Sequence, residues 1–216
     1  MPESTEKVLL FGGGGHGKTL LDLLRAMGRY EIAAVVDDHL PPGSQVLGVP
    51  VLGGAQALPG LFQSGIRLAV NGVGGIGNVA ARLAVFDLLK QAGFLFPTLV
   101  HPSAVIEPSA SLAPGAQVLA LSYVSSAAAI GFGTVLNAGV VVSHDCQLGE
   151  VVNLSPGAAL AGGVRVEDHA QIGMNATVNI NLTIGRGARV GNGATVKADV
   201  PAGGVVRAGT IWPPRA

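Results

Sequence analysis

The sequence predicts a parallel β-helix of six-residue repeats that follows a smaller Rossmann-like α/β unit. Three observations favour this fold class. An apolar residue stands at every sixth position from residue 100 to residue 196, a glycine-rich turn lies between an apolar run and a helical segment near the N-terminus, and small residues abound. The 216 residues include 33 glycines, and aromatic residues make up only 4% of a chain that is 49% apolar. This mixture favours a tightly stacked, repetitive backbone over a core of bulky side chains.

The first unit begins with the pattern of a nucleotide-binding fold. The elements predicted in order are a strand at 8–11, a glycine-rich turn at 12–17, a helix at 19–27 and a second strand at 32–36. Asp37 and Asp38 follow the second strand, about twenty residues after the turn, as in the first half of a βαβ dinucleotide unit. Glycines in such a turn let a phosphate approach the backbone N–H groups at a helix N-terminus.

Two other interpretations of this turn exist. It can be a tight connection that binds nothing, or it can be a P-loop, because Gly12 to Thr19 matches G-x-x-x-x-G-K-[ST]. The chain offers no clear later strand that ends in Asp, and a unit of under a hundred residues is small for an NTPase. The P-loop interpretation is therefore disfavoured. A third strand at 67–70, a second glycine-rich turn at 71–77 and a helix at 79–92 complete a unit predicted to span residues 1–98.

The second unit is predicted from its repeat. Every sixth residue from Val100 to Val196 is Val, Leu or Ile, and the residues three and four positions later are mostly Gly, Ser, Asn, Ala or Thr. One hexad supplies a short strand and a turn, and three hexads make one triangular coil whose strands stack on the next coil. At 18 residues per coil, this span gives between five and six coils. The coil is expected over residues 99–200, and residues 201–216, which leave the pattern, are expected to cap its open end.

Composition excludes several functions. The formal net charge is zero, charged residues make up 12% of the chain, and no basic cluster occurs, so nucleic-acid binding is not expected. No apolar run approaches the ~20 residues that a membrane-spanning helix needs. The first residues are polar and acidic, unlike a signal peptide. The single Cys146 rules out an internal disulfide, and the sequence gives no support for a zinc site. We expect a cytoplasmic protein.

Together, the two halves resemble the NeuD/PglD-type sugar acyltransferases over essentially the whole chain. The residues that carry the resemblance are the turn Gly12–Lys18, Val36-Asp37-Asp38, the turn Asn71–Asn78 with Arg82, His101-Pro102-Ser103-Ala104 and Ser143-His144-Asp145-Cys146. The resemblance implies a left-handed coil, acetyl transfer from acetyl-CoA without a metal, and a homotrimer with active sites between subunits.

The resemblance also implies a class of acceptor. One branch of the family acetylates the amine of a nucleotide-linked amino sugar, such as a 4-amino-4,6-dideoxy sugar, in bacterial glycan biosynthesis, and another O-acetylates sialic acid. An alternative of a different class is a non-catalytic hexapeptide scaffold, or a coil with a carbonic-anhydrase-like metal site. A metal site needs histidines stacked on adjacent coils, yet the residues eighteen before and after His144 are Ser126 and Gly162.

His144 and Asp145 are the predicted catalytic residues. His144 follows the inward-facing Val142 by two positions, near a corner of the coil. An attacking amine or hydroxyl must lose a proton, and His, with an ordinary pKa of ~6.5, suits that role. Asp145 can fix the imidazole tautomer, and the family places such a pair here. The alternative is an exposed corner histidine without a role, and Cys146 is expected to pack in the core rather than act as a nucleophile.

The resemblance places further residues beside the ligands. Asn153 stands where some relatives have a second histidine that touches acetyl-CoA, and Gly162, Met174 and Asn192 match positions beside the cofactor. For the substrate, the implied residues are Gly12, Gly13 and Gly14 at the diphosphate, His16 and Lys18 at phosphate or sugar, Asp37 and Asp38 at the base or ribose, and Gly74 in the same cleft. Asp37 can instead cap local backbone. Trp212 either stacks on a base or covers the open end of the coil.

Overall fold

The computed structural model describes residues 6–214, and the chain divides into two compact units, one ending at Pro97 and the other beginning at Thr98. The predicted fold class is confirmed: an α/β unit of parallel strands precedes a parallel β-solenoid of the left-handed β-helix type with about six turns. Residues 1–5 of the expected first domain and residues 215–216 of the expected cap lie outside the described residues. Within the described part of the chain, no helix is both long enough and apolar enough to cross a membrane.

The first unit is built on a three-stranded parallel sheet. Its elements in chain order are β1 (Glu6–Phe11), α1 (Gly15–Met27), β2 (Tyr30–Val36), β3 (Gln45–Val46), β4 (Val49–Pro50), a 3₁₀ turn (Ala55–Ala57), α2 (Leu58–Gln63), β5 (Leu68–Asn71) and α3 (Val79–Gln91). The sheet order is β2-β1-β5, and β3 and β4 form a separate antiparallel hairpin. The central strand β1 contributes Val8, Leu9 and Leu10, all fully buried, which explains its uninterrupted apolar run.

The strands and helices predicted for this unit are present, with one informative shift. Helix α1 begins at Gly15, four residues before the predicted start at Thr19, because the second half of the glycine-rich turn is already helical: the N–H of Lys18 donates to the carbonyl of Gly14 at 2.9 Å. The helix ends where Gly28 adopts a left-handed conformation (φ 67°) and its N–H returns to Leu24 and Arg25.

The second unit consists of three parallel sheets, here called faces A, B and C. Face A contains Val105–Ile106, Tyr123–Val124, Val141–Val142, Ala159–Leu160, Thr177–Val178, Thr195–Val196 and Ile211–Trp212. Face B contains Ser111–Leu112, Ala129–Ile130, Gln147–Leu148, Arg165–Val166 and Thr183–Ile184. Face C contains Leu99–Val100, Gln117–Val118, Val135–Leu136, Asn153–Leu154, Gln171–Ile172, Arg189–Val190 and Val205–Val206.

The predicted hexad positions are the second residues of these strands, and they form the core. Tyr123 pairs with Val141 and Val124 with Val142, eighteen residues apart, as three hexads per coil require. Val124, Leu136 and Val142 are fully buried. The corners between faces form three edges: the A/B edge includes residues 143–146, 161–164 and 179–182, the B/C edge 149–152 and 167–170, and the C/A edge 137–140, 173–176 and 191–194.

The third residue of most corners adopts the left-handed backbone conformation, which explains the abundance of glycine and asparagine there. Gly139, Gly157 and Gly163 have φ near 70°, and Asp145 reaches φ 60° without being glycine. The residues that interrupt the sequence pattern at this position, Leu121, Val151 and His169, take the same conformation.

The coil extends further than the hexad count indicates. Residues 201–216 were expected to leave the repeat, yet Val205–Val206 pairs with Arg189–Val190 on face C, and Ile211–Trp212 pairs with Thr195–Val196 on face A. The bridge from Ile184 to Val200 spans 16 residues instead of 18. The last coil is therefore two residues shorter, and a strict six-residue step loses its phase after Val196.

Trp212 covers the C-terminal end of the core. It occupies the inward position of the last strand, packs partly buried against the core, and donates its indole N–H to the carbonyl of Asp199 at 3.0 Å. These contacts support the expectation that Trp212 covers the open end of the coil rather than stacks on a base.

Candidate active site and nucleotide cleft

His144 and Asp145 form a hydrogen-bonded pair on the A/B edge. The His144 Nδ1 lies 2.7 Å from Oδ2 of Asp145, and the two side chains are 60% and 67% exposed. A carboxylate only accepts, so Nδ1 carries the proton and donates, and in the neutral ring Nε2 then has the lone pair. The pair is anchored to adjacent coils, because the Asp145 N–H donates to the Ser126 carbonyl and the His144 carbonyl accepts from Gly163. The arrangement can remove a proton from a nucleophile at Nε2.

Gly162, one coil further along, lies directly against the imidazole. A Cβ atom at position 162 would lie 2.5 Å from Cε1 and 2.6 Å from Nε2 of His144. The resemblance implied a cofactor contact for this residue, and the structure adds a second reason for glycine: the ring occupies the space that any side chain would need.

Replacing Gly162 with alanine is expected to displace the His144 ring and lower kcat by about tenfold or more, because a misplaced base transfers protons inefficiently. Steady-state kinetics of the purified variant measure this. The matched control is Gly149→Ala on the B/C edge, where the new Cβ would crowd the carboxylate and the backbone nitrogen of Asp168 instead. Equal losses in the two variants would indicate general damage to the coil rather than a specific effect on His144.

Cys146, which follows this pair in the chain, and His101, at the entry to the coil, behave as packing and capping groups. Cys146 is fully buried in the coil core, its thiol donates to the Ala161 carbonyl at 3.2 Å, and burial raises the pKa of the thiol. A nucleophilic thiolate is disfavoured there, in line with the packing role predicted from the sequence. His101 accepts at Nδ1 from the N–H of Ser103 at 3.1 Å and so caps the first turn of the coil.

The four residues expected beside the cofactor do not converge within one chain. Gly162 shares the A/B edge with His144. Met174 and Asn192 lie together on the C/A edge, where the Met174 N–H donates to the Asn192 side chain at 2.9 Å. Asn153 begins a strand of face C, is 5% exposed, and has its side-chain nitrogen 3.5 Å from the Ser155 hydroxyl. Within one chain, the four residues therefore lie on two different edges and one face of the coil.

The first unit contains a cleft of about 620 Å³ at the carboxyl ends of its strands. Parallel α/β sheets bind ligands at this edge. Of the residues predicted to contact substrate, the structure brings six together in its lining: Gly12, Gly14, His16, Asp37, Asp38 and Gly74. Gly13 differs from the expectation, because it is buried behind the turn, where an added Cβ would lie 2.7 Å from Leu40.

The two aspartates organise backbone while they line the cleft. Asp37 accepts from the N–H of Gly13 at 2.7 Å through Oδ2 and from the N–H of His39 at 2.8 Å through Oδ1. It thus ties the end of β2 to the glycine-rich turn. Asp38 accepts from the N–H of Ala55 at 2.8 Å and holds the start of the 3₁₀ turn.

The P-loop interpretation is not supported by this geometry. Helix α1 begins at Gly15, so Gly17 and Lys18 lie inside the helix rather than in a loop around a phosphate. Lys18 is exposed and does not contribute to the described cleft lining.

Sequence reasoning missed one wall of the cleft. Asn78, Ala81, Ala84 and Val85 line it from helix α3 and the residue before that helix. Ala81, Ala84 and Val85 stand at i, i+3 and i+4, so they share one face of α3, and this stripe of small residues after a glycine-rich turn was an available signal.

Within residues 6–214, no group of three His, Cys, Asp or Glu side chains is arranged to hold a metal ion. Residues 7–89 match the family described as the PglD N-terminal domain. No curated protein gives a significant sequence match to the chain.

Solved structures similar to this chain cover nearly all of it. A histidine-to-asparagine mutant of perosamine N-acetyltransferase from Caulobacter crescentus, in complex with CoA and GDP-perosamine, is 37% identical, with a TM-score of 0.88 and 94% of each chain covered. The acetyltransferase domain of PglB from Neisseria gonorrhoeae FA1090, in complex with acetyl coenzyme A, is 33% identical, with a TM-score of 0.85 and coverage of 94% of this chain and 97% of that one. WeeI from Acinetobacter baumannii AYE is 28% identical, with a TM-score of 0.81 and coverage of 93% and 96%. These matches confirm the predicted resemblance, and the chain belongs to the NeuD/PglD-type sugar acyltransferases.

Proposed function

We propose that this protein is an acetyl-CoA-dependent N-acetyltransferase that acts on a nucleotide-linked amino sugar of the 4-amino-4,6-dideoxy type in bacterial glycan biosynthesis. The observation that carries the proposal is the His144–Asp145 pair, whose contact through Nδ1 leaves Nε2 available to a ligand on an exposed edge of the coil. The 37% identity to perosamine N-acetyltransferase, an enzyme described in complex with CoA and GDP-perosamine, supports the same acyl donor and acceptor class.

In the proposed reaction, the neutral sugar amine attacks the thioester carbonyl of acetyl-CoA and forms the new C–N bond. His144 Nε2 takes the proton that the nitrogen loses, and Asp145 stabilises the imidazolium through Nδ1. The tetrahedral intermediate then breaks its C–S bond, and the departing CoA sulfur takes the proton from His144. The products are the N-acetyl sugar nucleotide and CoA, and no covalent enzyme intermediate forms.

The cleft of the first unit is proposed to hold the nucleotide. Helix α1 begins after Gly14, which has no side chain to cap it, and the first turn carries no acidic residue. Such an N-terminus offers backbone N–H groups and a favourable dipole to a diphosphate. Gly14, Gly15 and His16 line the cleft beside it, and Asp38 is available to the base or ribose.

The proposal includes a homotrimer with its active sites between subunits. The uncharged surface of face A supports this assembly. The outward residues of this face are uncharged: Val105, Tyr123, Val141, Ala159, Thr177, Thr195 and Ile211. By contrast, Arg165 on face B and Arg189 on face C are exposed. If face A lies between subunits, the A/B edge of one chain comes beside the C/A edge of the next, and His144 meets Met174 and Asn192.

Replacing Val141, 38% exposed on face A, with glutamate is expected to disrupt the trimer, because an unpaired carboxylate would be buried in the interface. Light scattering coupled to size exclusion measures the mass, and activity should fall with it. Gln147→Glu, the outward position of the same coil on face B, is the matched control and should remain trimeric. A Val141→Glu variant that keeps both the wild-type mass and activity would rule out face A as the interface.

The function is tested by following thiol release from acetyl-CoA in the presence of UDP-, GDP- and dTDP-linked 4-amino sugars and of free sialic acids. Turnover is expected with at least one nucleotide-linked amino sugar. Turnover with sialic acid alone would identify an O-acetyltransferase instead. A chain that turns over none of these acceptors would favour the scaffold interpretation.

A further inference from the structure

A buried arginine lies behind the second glycine-rich turn of the nucleotide cleft. Arg82 belongs to helix α3 and is 1% exposed, the largest of the fully buried side chains in the described chain. Burying a guanidinium is costly unless fixed dipoles replace its water. Burial lowers the pKa of Arg82 to about 10, so the group stays charged at neutral pH.

The guanidinium is held against the backbone of that turn. Arg82 Nη1 donates to the carbonyl oxygen of Val73 at 2.7 Å and to that of Asn71 at 3.3 Å, and the group lies 5.1 Å from the ring centre of Phe86. The turn therefore has two of its carbonyls directed at a fixed charge inside the unit.

Asn71 completes the connection from the other side. Its side-chain Nδ2 donates to the Arg82 carbonyl at 2.9 Å, and its Oδ1 accepts from the Val73 N–H at 3.0 Å. Asn71 at the end of β5 and Arg82 in the first turn of α3 thus each donate a hydrogen bond to the other's carbonyl oxygen. The second glycine-rich turn is the segment that connects them.

These bonds fix the direction of one peptide group. In a trans peptide the C=O of one residue and the N–H of the next point in opposite directions. Because the Val73 oxygen points at Arg82, which is buried, the N–H of Gly74 points away from Arg82. Gly72, Val73 and Gly74 line the cleft whereas Arg82 does not, so an N–H directed away from Arg82 is available to a ligand in the cleft.

We propose that Arg82 is a positioning residue for nucleotide binding: it holds the Val73–Gly74 peptide so that the Gly74 N–H donates to the nucleoside diphosphate in the cleft. The inference rests on the proposed function, since it takes the cleft ligand to be a nucleoside diphosphate. Arg82 itself is not part of the described cleft lining.

The test measures binding of GDP and of UDP to the full chain by calorimetry, with acetyl-CoA titrated separately. Arg82→Met, which keeps much of the side-chain volume without the donors, is expected to raise the Kd of the preferred nucleotide by about tenfold or more. Acetyl-CoA binding should stay within about twofold of wild type, and Arg82→Lys should recover part of the nucleotide affinity because one ammonium can still reach the Val73 carbonyl. If Arg82→Met does not fold, Asn71→Ala decides, with the same loss confined to the nucleotide.

The matched control is Arg67→Met. Arg67 also lies over a phenylalanine ring, at 3.9 Å from the centre of Phe62, and donates to the carbonyls of Phe62 and Ile66, but it is exposed and not part of the cleft lining. The Arg67→Met variant should bind nucleotide with the same Kd as the wild type. A folded Arg82→Met with wild-type nucleotide affinity, or with equal losses for nucleotide and acetyl-CoA, would overturn the inference alone. A wild-type chain that binds neither GDP nor UDP would overturn the assigned role of the cleft, and this inference with it.

Discussion

Replacing His144 with asparagine is expected to lower kcat for acetyl transfer by about 10³-fold, with KM for both substrates changed little. Asparagine fills much of the same space and keeps a polar group on the A/B edge, but it has no lone pair basic enough to take the proton of the attacking amine. The C. crescentus relative was obtained in complex with CoA and GDP-perosamine as a histidine-to-asparagine mutant, so ligand binding in that enzyme does not require the replaced histidine.

His169→Asn is the matched control for this substitution. His169 is also a corner histidine of the coil, with φ 65°, but it lies on the B/C edge, away from the Asp145 carboxylate. The kcat of the His169→Asn variant should equal that of the wild type. Asp145→Asn should reduce kcat less than the loss of the base itself, by about tenfold to a hundredfold, because it removes the group that orients the imidazole. A His144→Asn enzyme with kcat near that of wild type would falsify the base assignment.

The coil could be predicted from the sequence because each strand must supply one inward side chain. Core packing restricts that position to Val, Leu or Ile, so the period of six is visible without any other information. The last coil was not predicted, because it departs from this period of six. Its corner between Val196 and Val200 is two residues shorter, and a fixed step then falls on Ala202 and Ala208 instead of Val200 and Val206.

The candidate site was predicted where its residues are adjacent in the chain. His144 and Asp145 are neighbours at one corner, so their contact needs no residue from elsewhere in the chain. The packing of Gly162 against the imidazole and the hydrogen bonds of Arg82 to the turn could not be predicted, since the first depends on the orientation of a side chain across a coil and the second on which carbonyls the turn directs inward. Gly13 belongs to the same glycine run as Gly12 and Gly14, which line the cleft, but its N–H donates to Asp37 and it does not contribute to the described lining.

Replacing Gly17 with alanine is expected to weaken nucleotide binding by about 100-fold without lowering the affinity for acetyl-CoA. The new Cβ would overlap the carbonyl oxygen of Gly12, which belongs to the same glycine-rich turn. The same carbonyl oxygen lies close to the second glycine-rich turn, since a Cβ built at Gly72 would be only 2.6 Å from it. Overpacking of this kind costs about 1–3 kcal/mol, and about 2.7 kcal/mol lost from binding corresponds to the 100-fold effect.

Gly60→Ala separates a steric effect at the turn from the general effect of placing alanine at a helical glycine. Gly60 lies in helix α2 outside the described cleft lining, nothing lies within 4 Å of a Cβ there, and its φ is not positive, so alanine fits and should leave stability equal or slightly higher. Calorimetric titration of both variants with the preferred nucleoside diphosphate measures the contrast. If Gly17→Ala binds nucleotide as tightly as Gly60→Ala, the glycine-rich turn does not form the phosphate site. If it loses acetyl-CoA binding to the same degree, the substitution acts on the whole chain rather than on the cleft. A loss of nucleotide affinity in Gly17→Ala alone would show that nucleotide recognition depends on the close contact between the two glycine-rich turns. The second of these turns is the one that Arg82 is proposed to hold in place.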